Sequence, residues 1–166
     1  MLDFIFIFIA LVVGAAGGGG SGAQSTASAS VAVEPGASET AYVAEPQTPT
    51  GKFTTATEIK PIMSATKGNW VAVREYDGQD LVYFTQILAW RCGLVGVRYS
   101  INGGPMQDWP LAECQLDTAQ PNAIPQDAII YETHPLKSVQ TLQVEIIYDD
   151  LTRDSAQFER KQVLMP

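Results

Sequence analysis

The chain has 166 residues and a formal charge of −8, with 18 acidic and 10 basic side chains, one histidine and two cysteines. From Lys52 onward 115 residues remain, carrying −4 (14 acidic, 10 basic), enough for one domain with its own core and too few for two. The basic residues stand singly apart from Arg160-Lys161, which argues against nucleic acid or an anionic membrane surface as a partner, since both reward clustered Lys and Arg.

Met1 to Gly51 contains no Lys and no Arg, and it opens with the apolar run Phe4 to Ala16. That run is too short to cross a bilayer as a helix, which takes roughly 20 residues, but it has the length of a signal-peptide core. Ser21-Gly22-Ala23 offers the small residues that a signal peptidase reads. Residues 1–23 are therefore expected to be a signal peptide cleaved after Ala23, with Gly14-Ala15-Ala16 as the second site, or an uncleaved anchor, because the usual positive start is missing. No cysteine follows the run, which argues against a lipid anchor. Residues 24–51 are rich in Ala, Ser, Thr and Pro with Tyr42 as the sole aromatic. They read as a disordered tether, too polar to offset the entropy of ordering.

The domain is expected over 52–166. Thr57 is placed to cap a short helix with Pro61 in its first turn and Gly68 at its end. Next, Trp70–Tyr76 and Gln79–Trp90 flank Asp77-Gly78, a strong hairpin signal. Pairing Tyr76 with Gln79 sets Val73 against Val82 and Val71 against Phe84 on the core side, with Arg74 against Leu81 and Ala72 against Tyr83 on the other. The same register sets Glu75 against Asp80, an unfavourable like-charge pair unless it is solvated or neutralised by a cation. Glu75, Asp77 and Asp80 are thus either a solvated turn or a weak cation site of the oxygen-ligand kind that suits calcium, although the regular Asp-x-Asp-x-Asp-Gly spacing is absent.

A second hairpin is expected from Gly93–Ile101, the loop Asn102-Gly103-Gly104, and a return through Met106 and Trp109. Setting Ile101 opposite Pro105 carries Cys92 opposite Cys114, although Pro110 could interrupt the pairing. A disulfide between them closes a loop of about 20 residues and contributes on the order of 3 kcal/mol. Two cysteines without a matching Cys or His set make a poor zinc site, so no metal is expected there. Gln115 to Gln126 reads as a loop and Ala128–Tyr131 as a short strand. The last hairpin has Leu142, Val144, Ile146 and Tyr148 alternating with Gln143 and Glu145. Asp149 to Ser155 form its turn, and Phe158, Val163 and Leu164 anchor the return. Arg153 is the expected counter-ion of Asp149, Asp150 and Asp154. Six or seven short strands separated by Gly, Asp and Pro turns predict a mainly β fold, an antiparallel β-sandwich with one short N-terminal helix.

Val97-Arg-Tyr-Ser-Ile-Asn-Gly-Gly and Val144-Glu-Ile-Ile-Tyr-Asp-Asp are similar to strand-turn-strand units of immunoglobulin-like and fibronectin-like modules, which implies an immunoglobulin-like sandwich. Trp70-Val-Ala-Val-Arg-Glu-Tyr-Asp-Gly-Gln-Asp, Trp90-Arg91-Cys92-Gly93-Leu94 and Tyr148-Asp149-Asp150 resemble a group of small exported proteins of proteobacteria known only as uncharacterised. That resemblance covers most of 52–166. It implies export and transfers no activity.

The chemistry is sparse. No Gly-x-Ser-x-Gly elbow accompanies His134, whose neighbour Pro135 suggests a surface loop, and no Gly-rich phosphate loop follows a strand, so no enzyme activity and no cofactor are expected. Most aromatics should be core, and Trp90 is placed to pack over the disulfide. Trp109 is the candidate for exposure on a proline-flanked edge, with Tyr99 and Tyr83 as neighbouring stacking surface. The leading expectation is a periplasmic or secreted, non-enzymatic module that binds an envelope protein through a strand edge or hairpin face. A small-ligand or glycan-binding sandwich is the alternative. A concave aromatic patch would favour the second, and a flat apolar edge the first.

Overall fold

The computed structural model describes residues 41–166. Both signal and anchor readings, and most of the tether, fall outside the described residues. The tether's last stretch does not stand apart from the domain. Glu45 donates its backbone N–H to the Asp149 carbonyl at 2.8 Å, and the Gln47 amide donates to the Asp149 carboxylate at 2.8 Å. Ordered chain therefore starts before Lys52, fastened by polar groups that a composition argument weighs only as solvation.

Helix α1 (Ala56–Ala65) follows, with Thr55 rather than Thr57 at its N-cap and Pro61 inside it. The orphan N–H of Ala56 is met from outside the helix, by the Asp149 carboxylate at 2.8 Å. Ile59 and Met63, one turn apart, are fully buried. Strands β1 (Ala72–Tyr76) and β2 (Gln79–Tyr83) form the expected hairpin, in the expected register from Tyr76–Gln79 to Ala72–Tyr83. Asp77 and Gly78 both have positive φ, 48° and 74°, the backbone of a two-residue primed turn.

The long second strand expected through Trp90 stops at Tyr83. Phe84 turns the chain into α2 (Thr85–Leu88), where the consecutive residues Ile87 and Leu88 are both buried. A half-exposed strand cannot bury two neighbours on one face, whereas a helical turn against a core can. Strand β3 (Leu94–Ile101) pairs with a short β4 (Gln107–Asp108) through Arg98–Asp108 and Tyr99–Gln107, the register that the cysteine argument used. After a long connection come β5 (Tyr131–Pro135), β6 (Thr141–Tyr148), β7 (Arg153–Glu159) and α3 (Arg160–Val163). The strand expected at Ala128–Tyr131 thus begins where that reading ends, and His134-Pro135 lies in a strand instead of a loop.

All pairings are antiparallel, in a three-stranded sheet of order β1-β2-β5 and a four-stranded sheet of order β4-β3-β6-β7. Val73 and Val82 from the first sheet and Val97, Leu142, Val144 and Ile146 from the second belong to one buried cluster, which Ile59, Met63 and Trp70 extend. Beyond α3, Leu164 makes a parallel bridge to Val73, and Met165 donates its N–H to the Val73 carbonyl at 2.8 Å. The chain's last residues therefore cover part of the outer edge of β1. Among the described residues no helix is long and apolar enough to cross a membrane.

Candidate functional site

Alternation along β1, β2 and β5 sends Val73, Asp80 and Val82 into the core and leaves Ala72, Arg74, Tyr76, Tyr83 and Tyr131 on the outer face. Tyr83 and Tyr131 are cross-strand partners with ring centroids 5.1 Å apart, and the Arg74 guanidinium lies 5.0 Å from the Tyr76 ring. Beside them runs a groove of about 470 Å³. Trp70, Ala72, Arg74 and Tyr83 line it, with Thr85 and Gln86 of α2 and Ala89 just beyond that helix. Asn69 and Met165 complete it. The break at Phe84 creates this concavity: a strand continued to Trp90 would carry Gln86 and Ala89 away from Tyr83. The C-terminal bridge to Val73 likewise sets Met165 at the rim.

Of the three aromatics expected at a binding surface, only Tyr83 is there. Trp109 and Tyr99 are buried, 4 % and 5 % exposed, around Phe84. Trp109 lies 4.0 Å from Phe84 and 5.7 Å from Tyr99 between ring centroids. Pro110 does follow the end of β4, but Trp109 still donates its N–H to Val97 at 2.8 Å, so it keeps strand register and faces inward with its partner. That partner was the available signal, because cross-strand partners share a face and Val97 is apolar.

The acidic hairpin tip receives its counter-charge from within the chain. Arg160 of α3 donates to Glu75 at 2.6 Å and to both Asp80 oxygens at 2.7 and 2.8 Å, so a guanidinium neutralises the like-charge pair. Asp80 is fully buried and also accepts the Val139 N–H at 3.1 Å. Its hydrogen bonds from Arg160 outweigh the cost of burial and hold its pKa down at about 2, with further help from backbone N–H groups. Asp77 serves the turn. Among the described residues no group of three or more His, Cys, Asp and Glu side chains is placed to hold a metal. On the same inward face, Tyr99 donates to Glu132 at 2.7 Å, and Glu132 meets His134 Nε2 at 2.8 Å. Burial, then the Glu132 carboxylate, pushes the Tyr99 hydroxyl upward.

Cys92 and Cys114 form the expected disulfide, with Cα atoms 5.1 Å apart. Its neighbour Arg91 went unread in the sequence. That side chain is 3 % exposed and donates to the carbonyls of Ala112, Glu113, Pro121, Asn122 and Ala123, gathering the connection between β4 and β5 around one guanidinium. Trp90 meets Phe53 edge-on at 5.5 Å. In the last hairpin Asp150 pairs with Lys60 and Asp154 with Lys67, and Arg153 reaches Glu145 at 3.2 Å.

Comparison with known proteins gives no likeness to draw on: no family model, no curated protein and no solved structure matches the chain.

Proposed function

We propose that this protein is an exported, non-enzymatic binding module whose ligand lies in the groove on the outer face of β1-β2-β5. One observation carries the reading. The groove combines Tyr83, backed by Tyr131, with the apolar Ala72, Ala89 and Met165 and four polar side chains, Asn69, Arg74, Thr85 and Gln86, within a volume in the roughly 300–1,000 Å³ range of ligand sites. The strand edges offer less to an apolar partner. Strand β5 reads Tyr-Glu-Thr-His-Pro and β7 reads Arg-Asp-Ser-Ala-Gln-Phe-Glu, polar strips of the kind that discourage strand addition. The small-ligand or glycan reading is therefore favoured over a protein-binding edge.

The strand orders β1-β2-β5 and β4-β3-β6-β7 support an immunoglobulin-like topology of the kind in which the fourth strand lies beside the third. Export is supported by the disulfide, which persists in oxidising compartments. Mass spectrometry of the mature protein should find a new N-terminus near Gln24, and an intact Met1 would instead indicate an anchor. For the ligand site, binding on a glycan array should fall about tenfold or more in Tyr83→Ala, whose lost ring is worth about 1.5 kcal/mol or more. Equal binding by the variant would remove the groove from consideration, and capture of an envelope protein insensitive to it would restore the edge reading.

A further inference from the structure

We propose that the groove is specific for an acidic oligosaccharide, with a sugar carboxylate held by Arg74; this rests on the binding-module reading above. The arginines differ in their partners. Among the described residues, Arg98 and Arg160 pair with carboxylates, as does Arg153 with Glu145, and Arg91 is spent on backbone carbonyls. Arg74 differs. It is exposed, its guanidinium lies over the Tyr76 ring, and no carboxylate of the described residues pairs with it.

In a chain of net charge −8 an acid would be easy to supply. Strand alternation keeps the adjacent one away, because Glu75 points to the opposite face and is held there by Arg160 at 2.6 Å. The groove thus presents one guanidinium, whose planar fork matches a carboxylate with two parallel hydrogen bonds. Stacking on a tyrosine ring leaves the edge of that fork free for them.

The rest of the lining suits a sugar ring. Tyr83, steadied by Tyr131, offers an aromatic face for the C–H side of a pyranose, and Ala72, Ala89 and Met165 are apolar. The amides of Asn69 and Gln86 supply both donors and acceptors for hydroxyl groups. A peptide is less well served, because the Val73 carbonyl, at the β1 edge beside the groove, is already taken by Met165.

Calorimetric titration of the mature protein with tetramers of galacturonate, glucuronate and mannuronate, each compared with its methyl ester, tests this. The ester keeps the ring and removes the charge. At least one acid tetramer should bind about tenfold or more tighter than its ester, the worth of a charge-assisted hydrogen bond. In Arg74→Gln that preference should vanish, acid and ester binding alike, with unchanged circular dichroism showing that the fold is intact. Acid and ester binding equally to the unaltered protein would overturn the acidic specificity and leave the binding module standing. An acid preference that survives in Arg74→Gln would overturn the assignment to this arginine. If no acid tetramer binds while neutral glycans do, only the present inference falls; if no glycan binds at all, the groove reading falls with it.

Discussion

At the scale of single residues, the decisive side chain is Arg160, because it converts a repulsive cross-strand pair into an ionic tie between α3 and the first hairpin. Removing it strands a buried carboxylate. Arg160→Met should destabilise the protein by about 3–5 kcal/mol in urea unfolding, well beyond the cost of losing a surface ion pair. Protonation of Asp80 tells the same story in reverse. Its folded pKa of about 2 lies below the unfolded value, so its contribution is complete above roughly pH 4 and is lost as the pH falls toward 2. That contribution is on the order of 2 kcal/mol. Urea midpoints of the unaltered protein should fall through this window more steeply than those of Asp80→Asn. Parallel slopes would show that Asp80 is not the titrating group. The sequence exposed the problem at Glu75 and Asp80 but not its answer, since Arg160 is 80 positions from Asp80 and nothing local pairs them.

At the scale of elements, local pattern carried the hairpins well and failed where tertiary contacts decide. Asp77-Gly78 and the alternation around it sufficed for the β1–β2 register, and one count from Ile101–Pro105 reached the disulfide. The turn into α2 was not legible, because Thr85 to Trp90 can be written as a continued strand until the core claims both Ile87 and Leu88. Helix α1 is seated by close approach. A Cβ on Gly93 would come within 2.7 Å of Ile59 Cδ1 and 2.9 Å of the Thr55 carbonyl carbon, and that backbone atom cannot swing aside. Gly93→Ala should therefore cost about 1–3 kcal/mol by overpacking, whereas Gly78→Ala, whose added methyl meets open space, should cost only about 1 kcal/mol for its positive φ. Thermal unfolding of the two variants side by side measures the difference.

For the molecule as a whole, the two sheets share one core, but the connection from Trp109 to Ile130 has no helix and no strand, and it is fixed by the disulfide and by Arg91. These ties are independent. Cys92→Ser with Cys114→Ser should lower stability by about 3 kcal/mol while leaving the connection gathered by Arg91. Adding Arg91→Met should open it, read as rapid cleavage by a Glu-specific protease at Glu113. Rapid cleavage in the cysteine variant alone would assign the whole restraint to the disulfide. The sandwich class followed from strand spacing alone. The candidate binding face did not, because the sequence offered Trp109 as its most exposed aromatic, and only the inward partner Val97 reveals why that tryptophan is core.

The attachment of Leu164 and Met165 to Val73 has a practical side. Since Met165 lines the groove, anything joined to Pro166 begins at the rim of the candidate site. A purification handle or fluorescent label fused there would crowd the very surface under test.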